Sequence, residues 1–154
     1  MKIIGVFPGS FDPFTKGHEN IVNRFLPLFD TIYIGVGGNT SKKYMYTLES
    51  RIQHIKSIYA KEPTIVVEEY EGLTVDYCKS KKAQYLLRGL RNTTDFNYEK
   101  SIALMNKELA NIETLFLMTD AELSHLSSTI IREIAKSNGD ITAFVTNYSE
   151  LIIQ

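Results

Sequence analysis

Near its amino terminus the chain runs Ile3-Ile4-Gly5-Val6-Phe7-Pro8-Gly9-Ser10-Phe11-Asp12-Pro13-Phe14-Thr15-Lys16-Gly17-His18. Ile3 to Phe7 lacks the strict alternation of a strand with one wet face, so it reads as a strand buried on both sides, as in a parallel sheet. The loop after it is dense in turn formers. From Gly17 to Phe29 the apolar residues Ile21, Val22, Phe25, Leu28 and Phe29 then fall on one stripe, which predicts a helix.

That alternation continues along the chain. Further short apolar runs span Thr31 to Val36, Thr64 to Glu69, Tyr85 to Arg88 and Glu113 to Met118. Helical patterns lie between them: Thr47 to Ala60, with Leu48, Ile52, Ile55 and Tyr59 on one face, then Leu73 to Lys81, about Asp95 to Ala110, and Ser127 to Ser137. Asn138-Gly139 reads as a helix stop, and a last helix is expected from about Thr142 through Ile153. No repeat, low-complexity tract or linker interrupts the series. The expectation is one doubly wound α/β domain over residues 1–154, Rossmann-like, with a five-stranded parallel sheet. A chain of 154 residues supports it, since burial of roughly 70% of the unfolded surface is normal at that size.

Composition narrows the class. Seventeen Lys+Arg stand against 18 Asp+Glu, and the pI of about 6.3 is far from the basic footprint of a nucleic-acid binder. The single cysteine, Cys78, excludes an internal disulfide and a cysteine zinc cage, and reads as a partly buried structural thiol. The apolar run before Pro8 is too short for a secretory signal, and no stretch reaches the ~18 apolar residues of a membrane span. A cytoplasmic protein with no membrane partner is expected. His54 reads as an ordinary helix-surface residue, and Lys79 to Lys82 as a solvated face.

Ligands of open parallel sheets bind beyond the carboxyl ends of the strands, so chemistry is sought there. After the first run, exposed amides and a helix dipole attract phosphate, and His18 faces that end. Taken alone, His18 reads first as a helix-end or surface histidine and Ser10 as a turn residue, and only their context points to a ligand. After the second, Gly35 to Lys43 fits neither the dinucleotide fingerprint nor the phosphate loop. The fourth ends in Leu87-Arg88-Gly89-Leu90-Arg91. Two guanidiniums there call either for a phosphate or for internal salt bridges, with Asp95 and Glu99 near in sequence to serve. Finally Ser127, Ser128 and Thr129 open a helix with Arg132 one turn on, as a phosphate cradle or as ordinary caps.

Read together, Thr15-Lys16-Gly17-His18 and Ser128-Thr129-Ile130-Ile131-Arg132 resemble the paired motifs of the nucleotidyltransferase superfamily. With Pro8 to Pro13, Ser41-Lys42-Lys43, Leu87 to Arg91 and Asp95-Phe96-Asn97-Tyr98-Glu99, the chain is similar to the bacterial phosphopantetheine adenylyltransferase family along nearly its whole length. The resemblance implies a nucleotidyltransferase that moves the adenylyl group of ATP onto 4′-phosphopantetheine, giving dephospho-coenzyme A and pyrophosphate. It implies catalytic roles for His18, Lys42 and Arg91, and acceptor contacts from Ser10, Lys42, Thr74 and Arg88. The implied ATP site comprises Ser10, Phe11, His18, Gly89, Leu90, Arg91, Glu99, Leu123, Ser124, His125, Leu126, Ser127, Ser128 and Thr129. The chain departs from the family's usual pattern at Thr74, Leu123 and His125. The resemblance also implies Mg²⁺ carried on the ATP phosphates with no protein ligand for the metal, a homohexamer, and coenzyme A as feedback inhibitor.

Such a reaction has an anionic nucleophile ready made, so no serine nucleophile or base dyad is needed, and the sequence contains no such constellation. Lys42 and Arg88 would orient the attacking phosphate. Arg91 and the Ser127 to Thr129 helix start would hold the leaving phosphates, and His18 would donate to the group in transfer. A relative with a nicotinamide mononucleotide or cytidine-type acceptor, and a nucleotide-binding regulatory module, are the alternatives on the residues alone.

Overall fold

Strand β1 (Ile4–Gly9) leads through a loop into helix α1 (Lys16–Phe25), and the same unit recurs in β2 (Thr31–Gly37), α2 (Leu48–Ile58), β3 (Ile65–Tyr70) and α3 (Thr74–Ser80). It continues with β4 (Tyr85–Leu90), α4 (Thr93–Ala110), β5 (Glu113–Met118) and α5 (Ser128–Lys136). The computed structural model describes residues 1–38 and 41–154.

The five strands are parallel and lie in the order β3-β2-β1-β4-β5. The chain therefore winds outward from β1 to β3, crosses back, and winds the other way through β4 and β5. The reversal falls between β1 and β4, which is where such sheets bind ligands. Registered pairs between these two strands are Gly5 with Tyr85 and Val6 with Leu86, whereas β1 and β2 are in register along the whole of β1.

Successive residues of β1 serve opposite cores. Phe7 packs with Ile21, Val22, Phe25, Ile34 and Leu87 on the α1–α2 side. Val6 packs with Val75, Tyr77, Cys78, Leu86 and Ile112 on the other. A strand covered on both faces has no position to spend on a polar residue, which explains the unbroken apolar runs. Cys78 is fully buried, and burial pushes its thiol up to about 11.

Several expectations are corrected. The segment after α5 is not a helix through Ile153: it is an irregular strap with one 3₁₀ turn at Tyr148–Glu150 and an antiparallel bridge from Ile153 to Tyr46. Its apolar residues Ile141 and Val145 pack on Ile131 of α5. His54 is not at a helix surface but completely buried, its Nε2 lying 2.7 Å from the Thr146 carbonyl oxygen of that strap. Burial lowers its pKa against that bond. Lys81 is not merely solvated, because it pairs with Glu68 and lies 5.2 Å from the centre of the Tyr33 ring. The first helix also stops at Phe25, where Pro27 favours a 3₁₀ turn over Leu26–Leu28. Among the described residues, no helix is long and apolar enough to cross a membrane.

Candidate active site

Helix α1 begins with a reciprocal cap. The Thr15 hydroxyl accepts from the His18 amide at 3.3 Å, and the Thr15 amide donates to His18 Nδ1 at 2.9 Å. Because a backbone N–H can only donate, Nδ1 must be the bare nitrogen and the imidazole carries its proton on Nε2. The ring is walled by Phe7, Phe11 and Phe14, with centroids 6.4, 5.2 and 5.3 Å away. Burial, with the charges of Arg88 and Arg91 behind it, lowers its pKa to about 4. His18 is thus a neutral, oriented N–H donor. Gly9 makes the wall possible, since a Cβ there would come within 2.7 Å of the Phe11 ring, whose backbone is itself left-handed at φ 49°.

Across the strand reversal, both guanidiniums at the end of β4 are already partnered. Arg88 donates from Nη1 to the Pro8 carbonyl at 2.8 Å, and from Nε and Nη2 to the Glu99 carboxylate at 2.9 and 2.5 Å. Arg91 grips Asp95 through its backbone N and Nε, both at 3.0 Å, and reaches the Leu126 carbonyl from Nη1 at 3.1 Å. Burial alone would raise the Asp95 pKa, but hydrogen bonds from Arg91 and the nearby positive charge bring it below the ordinary carboxylate value. The internal salt bridges weighed from the sequence therefore exist, one helical turn apart on α4.

At the start of α5 the three hydroxyls divide their work. Ser127 is the N-cap, accepting from the Ile130 amide at 3.4 Å, while Ser128 donates to the Pro13 carbonyl at 2.9 Å. Thr129 accepts from Arg132, which also donates to the Asp12 carbonyl at 2.8 Å. The capping alternative thus describes Ser127, while Ser128 and Arg132 tie α5 to the loop after β1.

These elements enclose two adjoining cavities. The larger, about 720 Å³, is lined by Lys42, Tyr44, Leu73, Thr74 and the inner face of α4, including Ile102 and Asn106. The smaller, about 370 Å³, is lined by Phe11, His18, Gly89, Arg91, Leu123, Leu126 and Ser127 to Thr129. Pro8, Gly9, Ser10, Arg88 and Glu99 line both and form a common partition.

Most of the expected site residues are gathered here. Leu90 is instead a core residue, the Ser124 hydroxyl is turned to the Ala121 carbonyl, and His125 is exposed; none of the three lines either cavity. Sequence reading missed Asp12, whose carboxylate accepts the Met45 and Tyr46 amides at 2.9 Å each. It also missed Asn106 and Arg51. Thr15 was readable only as part of a motif, though a threonine three residues before a polar helix residue is the spacing of a reciprocal cap.

A cleft at the strand reversal, with an uncharged donor facing two arginines, defines a nucleotide-transferring α/β enzyme, and residues 6–134 match the family described as cytidylyltransferase-like. A crystal structure of a candidate nicotinate-nucleotide adenylyltransferase from Vibrio parahaemolyticus shares the fold, with a TM-score of 0.72 over 95% of this chain and 88% of that one at 16% identity. Nearer in sequence is phosphopantetheine adenylyltransferase of Flavobacterium psychrophilum, 50% identical over 91% of this chain and 93% of the relative. The enzymes of that name from Cytophaga hutchinsonii (47% identical, 94% of this chain and 97% of the relative) and Leptospira biflexa (51%, 88% and 86%) are similarly related. The chain belongs to the phosphopantetheine adenylyltransferase family and is a nucleotidyltransferase.

Proposed function

We propose that residues 1–154 act as one catalytic unit that transfers the adenylyl group of ATP to 4′-phosphopantetheine, releasing pyrophosphate and leaving dephospho-coenzyme A. The observation that carries this reading is the partition: two cavities of unequal size meet at Ser10, Arg88 and Glu99, with Lys42 on one side and His18 and Arg91 on the other. The larger cavity, partly walled by Leu73, Val75, Ile102 and Leu109, suits a long acceptor arm. The smaller suits a nucleoside triphosphate whose phosphates reach the start of α5.

In this arrangement an oxygen of the acceptor phosphate attacks the α-phosphorus. A new P–O bond forms, the bond to the β-phosphate bridging oxygen breaks, and the electron pair leaves with pyrophosphate. Lys42 and Arg88 hold the attacking phosphate against repulsion from ATP, and Arg91 with the Ser127 to Thr129 segment holds the leaving pyrophosphate. His18 Nε2–H donates to the non-bridging oxygens on which charge grows, and being neutral and already oriented it reorganises little. Ser10 reaches both substrates from the partition.

Magnesium belongs to this reading on the triphosphate, whose oxygens it neutralises, because Mg²⁺ favours substrate phosphates over all-protein cages. Asp12, Asp95 and Glu99 on the rim are each already engaged by backbone amides or an arginine, which suits a metal held by the substrate's oxygens. A homohexamer is part of the same reading, supported by α4, which buries none of its residues yet exposes Leu104, Met105 and Leu109. So are a cytoplasmic location and competition by coenzyme A, which combines a pantetheine arm with an adenine nucleotide and so suits both cavities. The test is pyrophosphate release from MgATP: the reading requires it with 4′-phosphopantetheine and not with nicotinamide mononucleotide, and the reverse preference overturns it.

A further inference from the structure

Among the described residues, Arg51 is the largest side chain that is completely buried, at 1% exposure. Its partners are backbone carbonyls: Nη1 donates to Ser10 at 2.5 Å and to Gly37 at 3.3 Å, and Nε donates to Tyr46 at 3.2 Å. The Tyr44 ring lies 4.0 Å from the guanidinium carbon. A cation removed from water is costly even when its hydrogen bonds are made, and an apolar side chain of similar volume commonly stabilises a fold as well or better. Stability alone therefore gives little reason for an arginine here.

The identity of the three carbonyls gives one. Ser10 follows the end of β1, Gly37 closes β2, and Tyr46 lies four residues beyond Lys42, so three separate approaches to the larger cavity converge on one planar fork. The segment around Tyr46 is fixed from other directions as well. Asp12 takes the Met45 and Tyr46 amides, and the Gln154 amide donates to the Met45 carbonyl at 3.0 Å. Behind α2, the Ile152 amide donates to the Ser50 hydroxyl at 2.6 Å, so the helix that presents Arg51 is itself backed by the carboxyl-terminal strap.

We infer that Arg51 is a positioning residue for the transfer reaction: by tying the Ser10, Gly37 and Tyr46 carbonyls together it sets where Ser10 and Lys42 stand on the acceptor side of the partition. This rests on the function proposed above. Two of the three carbonyls flank Lys42, while Ser10 alone is shared with the smaller cavity, so the acceptor feels the loss more than ATP does. A lysine keeps the charge but not the fork, and a glutamine keeps neither.

Arg51→Lys and Arg51→Gln, compared with wild type in steady-state kinetics and in hydrogen exchange of the backbone amides, test it. Arg51→Lys is expected to raise KM for phosphopantetheine about tenfold, the scale of one lost charge-assisted hydrogen bond. The ATP KM changes much less, and Arg51→Gln is worse than Arg51→Lys in the same direction. Exchange accelerates at Met45, Tyr46 and Thr47 while β4 keeps its protection. Equal changes in both KM values, unchanged exchange at residues 45–47, uniform loss of protection across the sheet, or failure of both variants to fold each overturns the inference. Wild-type protein that releases no pyrophosphate overturns the proposed function instead, and the exchange comparison still decides whether Arg51 holds this segment.

Discussion

The two sides of the cleft treat charge in opposite ways. On the α1 side His18 is uncharged, fixed by the Thr15 amide and walled by phenylalanines. On the α4 side Arg88 and Arg91 are charged and already occupied by Glu99 and Asp95. A neutral donor in place needs no partner exchange when a phosphoryl group arrives, so its strength is available to the transition state. The arginines must give up part of a carboxylate contact to take a phosphate, so their contribution to binding is a difference between two strong interactions. Under the proposed function, the first side serves rate and the second selective grip.

The sharpest way to break this contrast is His18→Ala. Turnover should fall ~100- to 1,000-fold, as for loss of a transition-state donor, with little change in ATP affinity. Equal losses in kcat and ATP binding, read from kinetics and calorimetry, would contradict the division. Next in size, Arg88→Ala should raise KM for phosphopantetheine roughly 10- to 100-fold, because it removes a cation and leaves the largely buried Glu99 carboxylate facing the incoming phosphate. Glu99→Gln combined with Arg88→Ala should recover part of that loss, which steady-state kinetics will show.

A smaller effect is expected at the cap. Thr15→Ala deletes the hydroxyl that accepts the His18 amide and should cost about 1 kcal/mol of stability, measurable by urea unfolding. It should also lower kcat while leaving KM for phosphopantetheine nearly unchanged. The last effect is on stability and depends on pH. His18 has a folded pKa of about 4, against an ordinary value of 6.5. Below pH 6.5 the unfolded chain therefore takes up a proton that the native state refuses, so stability falls as pH drops from 6.5 toward 4. The buried His54 acts in the same sense. His18→Gln should flatten part of that slope in urea titrations at pH 7.5 and 5, and imidazole NMR of the native protein should show no His18 titration between pH 8 and 6.

What the sequence made legible follows from which interactions are local. The strands showed because both faces of β1, β2 and β4 are covered, and β5 was placed with its observed ends. β1 and β4 run two residues further than their apolar runs suggest, because Pro8-Gly9 and Gly89-Leu90 remain in register with β2 and β5 despite weak strand propensity. His18, Arg88 and Arg91, which line one cavity, stood out because strand ends at a reversal are where anions bind, and the motifs agree. Arg51 and His54 were not, since a polar residue on a helix reads as solvated until something distant covers it. For Arg51 the covering pieces are the ends of β1 and β2 and the segment of residues 44–46; for His54 it is the strap after α5, whose irregular apolar spacing reads as a helix. Its anchors, His54 to Thr146 and Ser50 to Ile152, span about 90 to 100 residues of chain and leave no trace in any local pattern.

The partition shared by the two cavities has an evolutionary consequence. Thr74, Leu73 and Ile102 border the larger cavity alone, so under the proposed function replacements there retune which pendant group is admitted while the smaller cavity is undisturbed. Ser10, Arg88 and Glu99 have no such independence, because each of them lines both cavities. Divergence of acceptor preference on this scaffold is thereby channelled to the outer wall, and the dividing wall becomes the part least open to experiment by mutation.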